Sequence, residues 1–188
     1  ISSDHLEGAT TDSSNPFVPE EFLSESEKTT YTIAKKHLKP DDKLLDVGCG
    51  SGRLLKKFDN VYRFGIDISE KYLEHLSSEK ITLCLSLIED MPFKDNYFDM
   101  ITCTDVLEHV LDLNGSLSNI TRVLKPGGML LIRVPYREDL SIYLREDYPY
   151  HFAHLRNFDE NNIRLILEKV FMFNSVQVYY GPFICEPI

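Results

Sequence analysis

Apolar and polar positions recur along the chain in two patterns. Apolar runs of strand length predict five strands, at residues 43–47, 62–68, 82–88, 98–104 and 129–134. Between them, apolar residues at helical spacing predict short helices at 52–58 and 69–76 and a longer one at 112–124. Strands that alternate with amphipathic helices are typical of parallel sheets, because parallel neighbours need crossover connections.

The two ends of this pattern carry further signals. Ser24 with Glu27 three residues later forms a capping-box signature, and Pro40 is expected to end the helix that follows it. A second apolar stripe runs through residues 163–170, and residues 171–180 are predicted as another strand. Residues 1–19 are polar and lack periodicity, which predicts a flexible leader or a lid. We therefore expect a doubly wound α/β fold in a single domain over residues 20–188.

The charge balance narrows the possible partners. The chain carries 30 acidic and 20 basic residues, a formal net charge of −10, which argues against nucleic acid as a partner. No apolar stretch approaches the roughly 20 residues of a membrane span. The four cysteines are scattered and form no C-x-x-C pair, which favours a reducing, cytoplasmic location and argues against a zinc site. A small molecule is the expected partner, and the oligomeric state stays open.

Three glycines follow the first predicted strand at alternate positions, Gly48, Gly50 and Gly52. Glycine permits close approach of backbone to a ligand, and loops at the carboxyl ends of parallel strands are where such sheets bind ligands. The dinucleotide fingerprint G-x-G-x-x-G would need a small residue at position 53, where Arg53 stands. Asp67 ends the second predicted strand, where its carboxylate can accept ribose hydroxyl groups. The pattern favours a nucleoside without a pyrophosphate.

Five motifs in order resemble the class I S-adenosylmethionine-dependent methyltransferases, among them the small-molecule methyltransferases. They are Leu-Asp-Val-Gly-Cys-Gly-Ser-Gly at 45–52, Gly-Ile-Asp-Ile-Ser at 65–69, Met-Pro-Phe at 91–93 followed by Phe98-Asp99, Val-Leu-Glu-His-Val at 106–110, and Arg-Val-Leu-Lys-Pro-Gly-Gly at 122–128. The resemblance runs from about residue 31 to residue 180. It implies methyl transfer from S-adenosylmethionine, which leaves S-adenosylhomocysteine, to an oxygen, nitrogen or carbon atom of a small acceptor.

The same resemblance implies a Rossmann-like sheet of seven strands, with the last one antiparallel. Only residues 183–188 remain for that strand, so it is short or lies beyond the sequence given. In the family, the glycine loop packs against the methionine half of the cofactor, and the acid matching Asp67 binds the ribose. The cofactor contacts predicted on this basis are Asp46, Gly48, Cys49, Gly50, Gly52, Asp67, Ile68, Leu87, Ile88, Glu89 and Thr104.

Two departures from the family pattern bear on the ligands. Leu87 stands where the family often has an Asp that reaches the adenine amino group. The backbone N–H of Ile88 and the carboxylate of Glu89 or Asp90 are candidate replacements; the alternative is that these two acids are only solvated. After the fourth strand, Thr104-Asp105-Val106-Leu107 replaces the Asn/Asp-Pro-Pro-Tyr motif of methyltransferases that act on nucleobase or glutamine amides. This departure argues against a planar amine as the acceptor.

His109 is the candidate catalytic base, because an imidazole can take a proton near neutral pH. The alternative is that Glu108 and His109 cap or brace a helix. Residues 135–158 are rich in aromatic and charged side chains, and Tyr136, Arg137, His151 and His154 are predicted to line the acceptor site; an ordinary surface excursion is the alternative. No metal site is predicted, because His151 and His154 have no evident companion ligands.

Two rival functions are carried forward. A module of the same fold could hold the cofactor without turnover, and the glycines and Asp67 do not exclude it. A nicotinamide oxidoreductase is disfavoured by Arg53.

Overall fold

The computed structural model describes residues 24–76, 80–148 and 153–181. Helix α1 (Glu25–His37) begins at Ser24, and the predicted capping box is present: the Glu27 amide donates to Ser24 Oγ over 3.2 Å, while the Ser24 amide donates to Glu27 Oε2 over 2.7 Å. This reciprocal pair satisfies two of the amides that a helix start leaves unbonded. The prediction for residues 1–19 lies outside the described residues, and the single domain over 20–188 stays a prediction.

The described strands form one sheet of five. They are β1 (Lys43–Val47), β2 (Tyr62–Asp67), β3 (Thr82–Leu85), β4 (Phe98–Thr104) and β5 (Leu124–Arg133), in the order β3-β2-β1-β4-β5. Every pair is parallel. The predicted doubly wound α/β class is confirmed, whereas the count of seven strands is not reached within the described residues.

The sheet is covered on both faces because its strands are apolar on both. Leu44 pairs with Met100 and their side chains face one layer, while Leu45 pairs with Ile101 and faces the other. The first layer contains Ala34 of α1, and the second contains Leu117 and other residues of helix α3 (Leu113–Val123). Helix α2 (Glu70–Leu76) contributes Leu73 and Leu76 to the first layer.

Several predicted boundaries needed correction. The strand predicted at 82–88 ends at Leu85, because residues Ile88–Asp90 form a 3₁₀ turn. The helix predicted at 52–58 is reduced to the single 3₁₀ turn Leu55–Lys57. Strand β5 begins five residues before the predicted start at 129, and its pairing shifts past Gly127, whose φ of +77° forms a bulge.

The prediction of a strand at residues 171–180 was wrong. Helix α4 (Glu160–Arg164) continues as the π-helical turn Leu165–Val170. Backbone amides that follow this turn donate to its carbonyl groups and so end the helix. The Phe171 amide donates to the Ile166 carbonyl over 3.0 Å, and that of Phe173 donates to the Leu167 carbonyl over 2.9 Å. Met172 between them has a φ of +59°, which breaks an extended strand. Among the described helices, none is both long and apolar enough to cross a membrane.

Candidate cofactor site and a second polar cluster

The loop after β1 turns on glycines in the left-handed backbone region. At Gly48, φ is +70°, its amide donates to the Ile66 carbonyl over 2.9 Å, and a Cβ there would collide with Val106. At Gly50, φ is +50°, yet a Cβ would meet no atom of the described residues within 4 Å. The loop is therefore packed against protein at Gly48 and faces open space at Gly50, as a surface for close ligand approach would.

Asp67 at the end of β2 is tied to this loop. Its Oδ2 accepts a 2.8 Å hydrogen bond from the Gly50 amide, and its Oδ1 accepts one of 2.8 Å from the Ser69 amide. Burial raises the pKa of Asp67, while these amides and that of Ile68 oppose the rise. A carboxylate has about four lone-pair sites, so these amide donors leave acceptor capacity for a ligand.

Beside the loop lies a cavity of about 180 Å³. Its walls come from the glycine loop, the ends of β4 and β5, and one side of α1. The lining residues are Glu27, Thr30, Asp46, Gly48, Cys49, Gly50, Ser51, Arg53, Leu54, Tyr72, Thr104, Asp105 and Arg133.

Both signs of charge face this cavity. Arg53 pairs with Glu27 of α1 over 2.7 Å, and the two side chains are only 17% and 12% exposed. Arg133 at the end of β5 pairs with Asp105, to which its Nε donates over 3.0 Å, and it also reaches Thr30 Oγ1 over 3.4 Å. The wall of the cavity therefore carries two arginine–carboxylate ion pairs.

Asp46 is a buried carboxylate at the floor of the cavity. It is 4% exposed, and the Thr102 hydroxyl donates to its Oδ1 over 2.6 Å. Burial raises the pKa of Asp46 to about 7, although Thr102 and the nearby Arg133 oppose the rise. The group therefore changes charge near neutral pH.

Comparison with known proteins supports the resemblance. The family model described as a methyltransferase domain matches residues 45–132. The ubiquinone/menaquinone biosynthesis C-methyltransferase UbiE of Vibrio cholerae is 31% identical over an alignment of 171 positions that covers 80% of this chain and 65% of that protein. Residues 45–132 therefore match a methyltransferase domain, and the chain is similar to S-adenosylmethionine-dependent methyltransferases over most of its length.

Other family relatives match over a shorter span. The demethylmenaquinone methyltransferase of Symbiobacterium thermophilum is 37% identical over an alignment of 112 positions that covers 53% of this chain and 45% of that protein. An uncharacterized protein of Methanocaldococcus jannaschii is 36% identical over 117 residues, with 61% and 50% covered. The chain thus spans about half the length of these two relatives.

Solved structures share the methyltransferase fold. A putative methyltransferase of Bacillus halodurans superposes with a TM-score of 0.64 at 24% identity, over 78% of this chain and 68% of that one. The [4+2]-cyclase SpnF superposes with a TM-score of 0.53 at 27% identity, over 57% and 44%. A protein named for another reaction therefore carries a similar fold.

The structure divides the predicted cofactor residues into two groups. Asp46, Gly48, Cys49, Gly50 and Thr104 line the cavity. Gly52, Asp67, Ile68, Leu87, Ile88 and Glu89 do not. The cofactor contacts of both groups stay predictions.

In the second group, several side chains already have structural partners. A Cβ on Gly52 would lie 2.6 Å from Leu76, so this glycine permits packing of the loop on α2. Ile88 is buried in the core, whereas Leu87 is 51% exposed. Oε1 of Glu89 accepts a 3.2 Å hydrogen bond from Ser116 of α3.

The charged wall of the cavity does not follow from the sequence pattern. Glu27, Asp105 and Arg133 are not among the predicted site residues, and Arg53 bears there only on the exclusion of a dinucleotide. In the sequence, the capping box alone accounts for Glu27. The position of Asp105 and Arg133 at the ends of neighbouring strands was a usable signal, because such ends meet at one edge of a sheet.

A second polar cluster contains the candidate base. His109 lies in the turn after β4, its Nδ1 is 3.4 Å from the Ala153 carbonyl, and it does not line the cavity. Its ring meets that of His154 edge to face at 4.6 Å. Glu108 is 1% exposed, and burial raises its pKa to about 8. The prediction of no metal site was based on the lack of companion ligands for His154. In the structure, Glu108 and His109 are such companions.

The remaining predicted acceptor residues are spread out. Tyr136 is 49% exposed, stacks edge to face on Tyr180 at 5.2 Å, and lies under the guanidinium of Arg137 at 5.3 Å. His154 belongs to the second cluster, and His151 lies outside the described residues. Only part of the predicted acceptor set is therefore brought together.

Proposed function

We propose that this chain binds S-adenosylmethionine against its glycine loop and transfers the methyl group to a small organic acceptor. The observation that carries the proposal is Gly50, where a Cβ would point into open space beside a cavity that holds both signs of charge. A ligand that needs close backbone approach and carries an amino-acid group fits this arrangement.

In this proposal, protein side chains are assigned to both the amino-acid end and the nucleoside end of the cofactor. Arg53 and Arg133 are the candidate partners for its carboxylate, and Glu27 and Asp105 for its ammonium group. Asp67 keeps acceptor capacity for the ribose hydroxyls after it binds the Gly50 and Ser69 amides. The exposed side chain of Leu87 offers an apolar surface to adenine.

Bound S-adenosylmethionine would supply an electrophilic methyl group on a sulfonium. The chain's own task is then to hold the acceptor in line and to exclude water, and orientation of this kind can lower a barrier by roughly 7–11 kcal/mol. The proposed acceptor side of the cavity is the end of β4, where Thr104 lines the cavity wall. For a hydroxyl acceptor, His109 in the following turn is the proposed proton acceptor.

Two relatives suggest which acceptors to test first. Their names identify them as methyltransferases of demethylmenaquinone and of ubiquinone and menaquinone biosynthesis. We therefore propose quinone precursors as the first acceptor class, with a carbon or oxygen atom as the nucleophile, in a cytoplasmic setting and without nucleic acid.

Calorimetric titration tests the cofactor. We expect binding of S-adenosylmethionine and S-adenosylhomocysteine with micromolar affinity and no response to NAD; the reverse pattern would refute the proposal. Labelled methyl transfer to demethylmenaquinone and other acceptors tests turnover. Binding without transfer to any acceptor would favour a module that holds the cofactor without methylation, an alternative that the similarity to a cyclase makes concrete.

A further inference from the structure

Glu108 is a buried carboxyl group with no side-chain hydrogen bond to any residue that the structure describes. The residue is 1% exposed, and neither Oε1 nor Oε2 has a partner among the described residues. Buried polar groups in folded proteins are almost always satisfied, and buried charges are paired or bind metals. The orphaned carboxyl therefore points to a partner that the described residues do not supply.

Two imidazoles face this carboxyl group. One ligand atom each from Glu108, His109 and His154 lies within 4.8 Å of the other two. Three ligands held by one ion at 2.0–2.2 Å stand roughly 3.4 Å apart in tetrahedral geometry. Small side-chain adjustments would shorten the separations between the three ligand atoms from at most 4.8 Å to this value.

Neighbouring acceptors orient both imidazoles in the way that metal-binding histidines require. Nδ1 of His154 bonds the carboxylate of Glu138, and Nδ1 of His109 faces the Ala153 carbonyl at 3.4 Å. Acceptors at Nδ1 hold the proton there, so that Nε2 carries the lone pair. Glu138 is itself held by the Tyr143 hydroxyl, which donates to its Oε1 over 2.7 Å.

The backbone around the cluster is also fixed. The Leu155 amide donates to the Glu108 carbonyl over 2.8 Å, which joins the segment of His154 to the turn after β4. Arg156 donates to the Leu107 carbonyl over 2.7 Å and bonds the Val110 carbonyl as well. The guanidinium of Arg156 is thus bonded to carbonyl groups and not to the Glu108 carboxyl.

We propose that Glu108, His109 and His154 form a binding site for one divalent transition-metal ion of the zinc type, with Glu138 as the outer carboxylate that positions His154. Two imidazoles and one carboxylate suit Zn²⁺ and its neighbours better than Mg²⁺, which prefers oxygen ligands. Three protein ligands leave a coordination position open for water or an acceptor oxygen. His109 would then serve as a ligand and not as a base.

Metal titration of the untagged, chelator-treated chain tests this site without any methyl transfer. We expect one equivalent of Zn²⁺ to bind by calorimetry, Co²⁺ to give a visible d–d spectrum, and Mg²⁺ to bind at least tenfold more weakly than Zn²⁺. Less than half an equivalent of bound Zn²⁺, or tighter binding of Mg²⁺, would overturn the proposal.

Variants separate ligands from bystanders. Glu108→Gln and His154→Gln should each lower Zn²⁺ affinity more than tenfold, and Glu138→Gln should lower it about 10- to 100-fold as an outer carboxylate. The matched controls are His37→Gln on the exposed end of α1 and Glu168→Gln, which should leave it unchanged. Equal affinity in Glu108→Gln and its control would contradict the assignment.

A parallel titration with S-adenosylmethionine keeps this result separate from the proposed function. Metal-site variants that have lost Zn²⁺ should still bind the cofactor, because Glu108, His109 and His154 do not line the cavity beside the glycine loop. Their circular dichroism spectra and unfolding midpoints identify any variant that has failed to fold. If a ligand variant fails to fold, the Co²⁺ spectrum of the Glu138→Gln chain tests the metal site in its place.

Discussion

The backbone amide of Gly50 donates a 2.8 Å hydrogen bond to Oδ2 of Asp67. This bond joins the loop after β1 to the end of the neighbouring strand β2. Because the second carboxylate oxygen is held by the Ser69 amide, the Asp67 side chain is fixed from both sides. The glycine loop and Asp67, the proposed ribose-binding residue, are therefore held together. A substitution of either Gly50 or Asp67 should affect both parts.

Gly50 should tolerate no side chain if the cofactor packs on it. Gly50→Val places atoms in the open space beside the cavity and should reduce S-adenosylmethionine affinity to below detection by calorimetry. The backbone strain at φ +50° should also cost about 1–2 kcal/mol of unfolding free energy. Gly127→Val is the control, because Gly127 has a φ of +77° and equally open surroundings away from the cavity. Similar destabilisation with unchanged affinity is expected there.

Asp67→Asn should weaken both the loop and the cofactor complex. One acceptor oxygen becomes an NH₂ group that faces an amide donor, so we expect a loss of about 1–3 kcal/mol of stability. Cofactor affinity should fall by about 1.5–3 kcal/mol if the charged contact to the ribose is lost. Asp139→Asn is the control, since Asp139 also accepts from an amide, that of Ser141, but on the surface. Unchanged affinity in the Asp67 variant would direct the search to another pocket.

Asp46 should make stability fall as pH rises toward neutrality. Its folded pKa of about 7 lies above the ordinary value of 3.8, so the folded state retains a proton that the unfolded state has lost between these values. Its contribution to the free energy of unfolding is therefore most favourable below pH 4 and declines up to about pH 7, by at most about 4 kcal/mol.

Urea unfolding of the wild type and of Asp46→Asn at several pH values between 5 and 8 measures this effect. The stability difference between the two chains should shift in favour of the variant as pH rises. Asp99→Asn should show no such trend, because Lys125 and the Lys43 amide hold the pKa of Asp99 below its usual value, outside this pH window. Parallel pH profiles for the wild type and Asp46→Asn would refute the assignment.

Arg53→Ala should lower cofactor affinity about tenfold or more if the guanidinium holds the carboxylate of the methionine group. The side chain is only 17% exposed, and its loss leaves the Glu27 carboxylate without its cation beside the cavity. Arg145→Ala removes a surface pair with Asp147 and should change stability by no more than about 1 kcal/mol. If both variants bind S-adenosylmethionine as the wild type does, Arg53 only closes the loop against α1.

Local sequence predicted the parts of the fold that local physics decides. The bounds of β1 and β4 agree with the structure, since these runs are apolar on both faces and have no other stable place than the centre of a sheet. Ser24 and Glu27 identified the start of α1 because a capping box acts within one turn. The glycines and Asp67 marked the ligand edge because strand ends of a parallel sheet meet there.

Tertiary contacts decided what the linear pattern left open. Residues 171–180 carry a strand-like pattern, but a strand also needs a partner, and the amides of Phe171 and Phe173 end the preceding helix instead. The charges around the cavity come from α1, the glycine loop and the ends of β4 and β5, which no short motif contains together. Glu108 and His154 are 46 positions apart in the sequence, and their juxtaposition depends on how residues 153–158 pack against the turn after β4. Sequence spacing therefore determined the sheet and its ligand edge, whereas only packing across distant segments determined which charges share a site.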